Sequence, residues 1–241
     1  MKVEIPKSIR RYGVICVLLG LGLVSFGACA SKDLGQIQSF SASKKALQAS
    51  YIKQNFHTEF YCGIDFNARD LSLAKSPAYT PRKPLTSKGA PNKRASRIEF
   101  EHIMPAHRFG ANLACWQKGG RKACVKDKSF VAMEADRRNL VPAIGEINGD
   151  RNNFAYAHEE GKTLRQSGQY GACEAYTDFK ERRFYPRDEV RGIIARIYLY
   201  MSARYNIALE PKEKELMRAW DRAYPVSEYE RALHKSQNLD E

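Results

Sequence analysis

The sequence predicts an α+β fold: a single mixed domain around a ββα arrangement, with C-terminal helices. Three observations predict it. Residues 97–101 alternate apolar and charged side chains, the pattern of a strand with one buried face. Residues 139–142 form a second short strand that runs into a helix over 143–150, after a long insertion. Two apolar patterns of helical period follow, at 188–205 and 211–224. No repeat or clear linker divides the chain, and 43% of its 241 residues are hydrophobic, enough for one core.

The N-terminus reads as an export signal over residues 1–30. Lys2, Lys7, Arg10 and Arg11 are its basic start, residues 14–24 its apolar run, and Phe26-Gly27-Ala28-Cys29-Ala30 its small-residue end. The run is short for a membrane span. Two processing readings stay open. Ala28-Cys29-Ala30 fits cleavage after Ala30; Phe26-Gly27-Ala28-Cys29 resembles a lipoprotein box, cleaved before Cys29 with a lipid anchor there. Either way the mature domain, residues 31–241, is expected in the periplasm, secreted, or at the outer membrane as a lipoprotein. A monomer is expected.

The chain has 40 Lys and Arg against 27 Asp and Glu. Removing residues 1–30 takes away four bases and one acid, leaving a net charge of +10. The excess concentrates in residues 71–126, with twelve bases and only two acids, Glu99 and Glu101. Such a surface attracts polyanions through phosphate contacts and counterion release. Carboxylates inside a phosphate-binding face repel the substrate unless a cation lies between them, so the two acids point to a metal site.

Four cysteines remain after the signal: Cys62, Cys115, Cys124 and Cys173. An even count in an exported chain reads as two disulfides. Cys115 and Cys124 are close in sequence and flank Gly119-Gly120-Arg121, which pairs them and leaves Cys62 with Cys173. Zinc is the rival reading, weakened by the absence of a C-x-x-C pair.

In chain order, residues 44–56 form a first helix and 59–65 a short strand or turn at Cys62. Residues 74–95 carry Pro77, Pro81, Pro84, Pro91 and Gly89 among many bases, and read as a loop suited to a phosphate backbone. In the 97–101 strand, Ile98 and Phe100 face one way and Glu99 and Glu101 the other, and Pro105 ends it. Residues 104–127 are a Gly- and base-rich excursion. Residues 130–138 form a short helix capped by Ser129. Gly145 and Gly149 keep the 143–150 helix short. Residues 150–182 read as loop. Val190, Ile193, Ile194, Ile197, Tyr198, Met201 and Tyr205 mark the long helix, and Pro211 opens the next. Its Leu216, Met217, Trp220 and Tyr224 are spaced as a packing face rather than a base-stacking platform. The last dozen residues read as frayed.

Glu101 and His102 stand side by side at a strand end, and Asn148 opens toward them from the following helix. Five blocks in order resemble the bacterial endonuclease I family: Arg97 to Gly110; Cys115-Trp116-Gln117-Lys118-Gly119-Gly120-Arg121-Lys122; Met133-Glu134-Ala135-Asp136; Asn139-Leu140; and Gly145 to Phe154. Gln169 to Cys173, Val190 to Tyr198 and Ala219 to Val226 extend the match across most of the mature chain. The resemblance implies a mixed domain around a ββα-metal motif, and Mg²⁺-dependent, largely sequence-independent cleavage of DNA, and often of RNA, by an exported nuclease. It implies His102 as general base, one Mg²⁺ (or another divalent cation) held by Glu101 and Asn148, and Arg121 on the scissile phosphate. Glu134 matches a further active-site carboxylate that equally suits a structural ion pair. Lys118, Lys122 and Arg97 are candidate substrate contacts. Phe100 and His107 replace family tryptophans, and Ile64 replaces a family cysteine.

These residue types suit phosphodiester hydrolysis. A neutral imidazole takes a proton from water, a hard cation prefers oxygen ligands, and a guanidinium grips phosphate oxygens. Two rivals remain: a ribonuclease-restricted relative, and an exported nucleic-acid-binding protein with an inactive site. Asn139 is expected to brace the backbone, His107 to pack, and Asn152 to be a weaker metal-shell candidate.

Overall fold

The computed structural model describes residues 39–159 and 163–238. The signal segment 1–30 and Cys29 lie outside them. Helix α1 spans Phe40–Gln54, starting four residues earlier than predicted because the Ser39 side chain caps it by accepting from the N–H of Ala42. Asn55, at φ 53°, ends it. The helix buries Ser43, Leu47, Ser50 and Tyr51. Two serines on that face weaken the apolar signal in the sequence.

The 59–65 segment is a turn around a buried carboxylate. Glu59 accepts from the N–H groups of Tyr61, Cys62 and Ile64. A hairpin of β1 (Phe66–Asn67) and β2 (Ser72–Leu73) follows. The 74–95 segment is irregular apart from a 3-10 turn that begins at Lys93. It is pinned where the N–H groups of Arg82 and Lys83 meet the Glu146 carboxylate and Arg82 forks onto Asp150.

Strands β3 (Ile98–His102) and β4 (Leu140–Ile144) pair antiparallel, with Glu101 opposite Val141 and His102 opposite Leu140. Helix α5 (Gly145–Arg151) leaves directly from β4, completing the predicted ββα unit. A Cβ on Gly145 would come within 2.9 Å of both the Arg94 carbonyl and the Glu99 carboxylate. The glycine therefore permits close approach as well as shortening the helix.

The insertion between β3 and β4 is more ordered than expected. It holds α2 (Ala106–Gly110), α3 (Ala114–Ala123) and α4 (Lys128–Glu134). Glycines hid α3, which kinks at Gly119 and Gly120. Asp127, not Ser129, caps α4, accepting from the Phe130 N–H, and the helix ends at Glu134 rather than 138. The 150–182 segment also holds strands. β5 (Ala155–Tyr156), β6 (Tyr176–Asp178) and β7 (Arg183–Tyr185) form a sheet in the order β5-β7-β6. Two or three residues are too few for alternation to be visible.

Helices α6 (Arg191–Tyr205) and α7 (Pro211–Ala223) form as predicted and pack together. Met217 and Trp220 are buried core residues. The chain end is not frayed up to Asn238: α8 spans Glu228–Ser236 under a Ser227 cap. Buried Leu233 and the fully buried Glu230, paired with Arg196, anchor it. Its charged composition concealed this one-sided burial. Disulfides join Cys62 to Cys173 and Cys115 to Cys124. Among the described residues, no helix is long and apolar enough to cross a membrane.

Candidate active site

The end of β3 departs from simple alternation. Glu101 and His102 are both buried, 4% and 7% exposed, because each face has its own cover. Over Glu101 lie Tyr61 and Arg151. The Tyr61 hydroxyl (3.0 Å) and an Arg151 terminal nitrogen (3.1 Å) both donate to Glu101 Oε1. Arg151 is fully buried and also donates to the carbonyls of His102 and Ile103 at 3.0 and 2.6 Å. Its guanidinium lies 4.5 Å from the Tyr156 ring centroid. Burial pushes the Glu101 carboxyl up to about 7, while the Arg151 charge and the Tyr61 hydrogen bond pull it down.

His102 is oriented through its far nitrogen. Nε2 lies 2.8 Å from the Glu134 carbonyl, which only accepts, so the neutral ring carries its proton on Nε2 and its lone pair on Nδ1. Phe40 of α1 packs on the imidazole, centroids 4.8 Å apart. The histidine pKa falls to about 4, first through burial, then through the charges of Arg121, Arg151 and Lys44; the bond to Glu134 opposes them. The ring is therefore neutral near pH 7.

Arg121 follows the Gly119-Gly120 kink, in the loop closed by Cys115 and Cys124. Its Nε donates to the Glu134 carboxylate at 2.5 Å, and its side chain is 47% exposed, so the guanidinium fork is left for a ligand. Glu134 thus holds both His102 and Arg121, one through its backbone and the other through its carboxylate. The sequence left its role between catalysis and structure; in the structure its contacts are to the two residues beside it in the site, His102 and Arg121.

Asn148 on α5 donates through Nδ2 to Glu99 Oε2 at 3.2 Å. Arg94 and Arg97 also fork onto Glu99. Burial works against the Glu99 charge, but the two arginines more than offset it and lower its pKa. The two acids of the basic segment therefore differ: arginines neutralise Glu99 at the surface, and Arg151 compensates Glu101 from beneath.

The donor chemistry fits a hard cation. The hydrogen bonds from Tyr61 and Arg151 to Glu101 fall on Oε1, and Asn148 donates through its nitrogen to Glu99, so Glu101 Oε2 and the Asn148 amide oxygen are the atoms that would meet a cation. Among the described residues no group of three or more His, Cys, Asp and Glu is placed to hold a metal. Two protein oxygens, with water and substrate oxygens, suit Mg²⁺, which keeps much of its hydration.

One open cleft of about 1060 Å³ takes in Glu101, His102, Arg121, Asn148 and Arg97. Lys118 and Lys122 are exposed on α3 and do not line it. Asn152 lines it, and His107 both lines it and packs edge-on to Trp116. Asn139 exchanges two hydrogen bonds with the Met104 backbone, as expected. Sequence reasoning missed Phe40, Lys44 and Arg151. Arg151 lies three residues after Asn148, and that one-turn spacing was its only signal; Phe40 belonged to a weak helical pattern with Leu47 and Tyr51, and no motif marked Phe40 or Lys44 as part of the site.

The chain is similar to several known proteins. A family model described as Endonuclease I matches residues 38–237. The chain is 45% identical over 198 residues to an extracellular deoxyribonuclease of Aeromonas hydrophila, covering 80% of each. It is 42% identical over 221 residues to a periplasmic deoxyribonuclease of Aeromonas hydrophila, covering 88% of each. It is 43% identical over 183 residues to Endonuclease-1 of Buchnera aphidicola subsp. Acyrthosiphon pisum, covering 74% of this chain and 68% of that one.

Proposed function

The chain belongs to the endonuclease I family, and on that basis we propose that it is an exported, largely sequence-independent endonuclease that hydrolyses phosphodiester bonds in DNA. The observation that carries this reading is the Nε2 bond of His102 to the Glu134 carbonyl, because it presents Nδ1 as a base next to Arg121 and Glu101. The relatives named as extracellular and periplasmic deoxyribonucleases support both the substrate and the export.

Nδ1 of His102 takes a proton from the attacking water. The water attacks phosphorus in line with the departing 3′ oxygen, the P–O3′ bond breaks, and that oxygen takes a proton from solvent water, leaving 5′-phosphate and 3′-hydroxyl ends. Arg121, steadied through Nε, holds phosphate oxygens with its terminal nitrogens. Glu101 and Asn148 would hold one Mg²⁺, which when bound supplies positive charge against the phosphate and the leaving oxygen. Arg151 keeps Glu101 in place from the protein side. The enzyme acts as a monomer on DNA, with RNA as a second substrate. Its mature chain begins after Ala30, and the mass of the exported protein separates this from lipid attachment at Cys29.

The test is digestion of plasmid DNA and of RNA by wild type and His102→Ala, with Mg²⁺ and with EDTA. Degradation lost in EDTA and in the variant is expected. Binding without cleavage in any divalent cation would sink the enzyme reading and leave an exported nucleic-acid-binding protein. Cleavage of RNA alone would mark a ribonuclease-restricted relative.

A further inference from the structure

Helix α1 contributes a stripe to the cleft. Phe40, Ser41, Lys44, Lys45 and Gln48 all line it. Their spacing of one, four, five and eight residues from Phe40 puts them on one helical face. The opposite face fixes the rotation: Leu47 and Tyr51 are in the core, and the buried Ser43 hydroxyl donates to the Ala135 carbonyl at 2.6 Å. That carbonyl is one residue beyond the one that orients His102. The Lys44 ammonium lies 4.6 Å from the Phe40 ring centroid, and the same ring packs on His102. Lys44 thus stands one phenyl ring away from the base.

The cations of the cleft fall into two groups. Arg94 and Arg97 are paired with Glu99, Arg121 with Glu134, and Arg151 with Glu101. No carboxylate pairs with Lys44 or Lys45 among the described residues. Their charge is uncompensated inside the protein and faces the cleft. Each of the four arginines has an acid partner, although Arg121 is bound through Nε alone; the two lysines have none and are available to an incoming anion.

We propose that Lys44 and Lys45 form a phosphate-backbone subsite, holding the strand that flanks the scissile phosphate on the α1 side. Lysine is a mobile point charge that suits phosphate contact without base readout, in keeping with sequence-independent cleavage. Phe40 ties this subsite to the imidazole, so that gripping the strand and placing the base use one rigid helix. The inference rests on the nuclease reading.

The experiment measures binding of a short DNA duplex by full-length protein in the His102→Ala background across a salt series. Replacing both lysines (Lys44→Gln with Lys45→Gln) should reduce the magnitude of the slope of log affinity against log salt by roughly 1.8, about 0.9 for each lost contact. The Lys44→Arg with Lys45→Arg pair should keep it. In the cleaving protein, KM should rise roughly tenfold at low salt, as expected for lost phosphate contacts, while kcat changes far less. Thermal unfolding checks the fold, since Lys45 is exposed and Lys44 half-buried. An unchanged slope in the glutamine pair would overturn the subsite while leaving the nuclease reading intact. Failure of the wild type to cleave DNA would remove both.

Discussion

His102 donates from Nε2 to the backbone carbonyl of Glu134 at 2.8 Å. The bond is to main chain, so no side-chain substitution at 134 removes it directly. The carboxylate of Glu134 serves Arg121 instead. The two roles of Glu134 are therefore separable by mutation.

Glu134→Gln should leave the imidazole oriented and loosen Arg121. His102→Ala should lower kcat by about 10²–10⁴-fold, the usual worth of general base catalysis. Glu134→Gln should lower it less, roughly tenfold, the scale of one charge-assisted hydrogen bond. Initial rates of plasmid nicking measure both. Equal losses would mean that Glu134 takes part in the chemistry itself.

Arg151 is fully buried, and it compensates Glu101. Arg151→Met leaves a buried carboxylate without its cation and takes a donor from three backbone carbonyls, those of His102, Ile103 and Asn152. A loss of about 3–5 kcal/mol is expected, or roughly 10 °C in Tm for a domain of this size. Calorimetry measures it; a Tm within about 2 °C of wild type, a shift worth under 1 kcal/mol, would show that Glu101 is uncharged without Arg151.

The two disulfides should differ in what their loss does. The Cys62–Cys173 bridge spans 111 residues and the Cys115–Cys124 bridge spans 9. On the chain-entropy model they contribute about 4.7 and about 2.5–3 kcal/mol. Paired alanine replacements followed by urea denaturation should reproduce that order. The short bridge closes the loop carrying Arg121, so its removal should also cut kcat at a temperature where the protein stays folded. Unchanged kcat would show that Glu134 alone holds Arg121.

The lowered pKa of His102 carries a definite sign for stability. The unfolded chain takes up a proton at its ordinary value of 6.5, whereas the folded chain resists until about 4. The contribution of His102 is therefore full above 6.5 and is lost as pH falls from there toward 4. The whole change is on the order of 3 kcal/mol. Denaturation of wild type and His102→Ala at several pH values should show wild type losing stability relative to the variant across that window. A constant difference would mean that the imidazole titrates alike in both states.

Much of the site was legible because its chemistry is written in neighbouring residues. Glu101 and His102 are adjacent, Asn148 follows β4 within one turn of helix, and Arg121 sits beside a glycine pair between two cysteines. The ββα unit and helices α6 and α7 were legible from period. Helix α3 and helix α8 were not, because glycines masked the first and charges the second. Lys118 and Lys122, the candidate substrate contacts beside Arg121 in sequence, are exposed on the kinked helix α3 and are not among the residues lining the cleft.

Sequence alone determined which functional groups are present and the order in which the chain delivers them: an acid, an imidazole, an arginine and an amide, with cysteines able to brace them. Tertiary structure alone decided their states. Glu134 reaches His102 across 32 residues and Arg151 reaches Glu101 across 50. Phe40 covers the imidazole from a helix with no motif. Tautomer, burial and charge compensation depend on such contacts between distant segments. Local period and composition record only what a residue's neighbours along the chain require, so these contacts leave no trace in them.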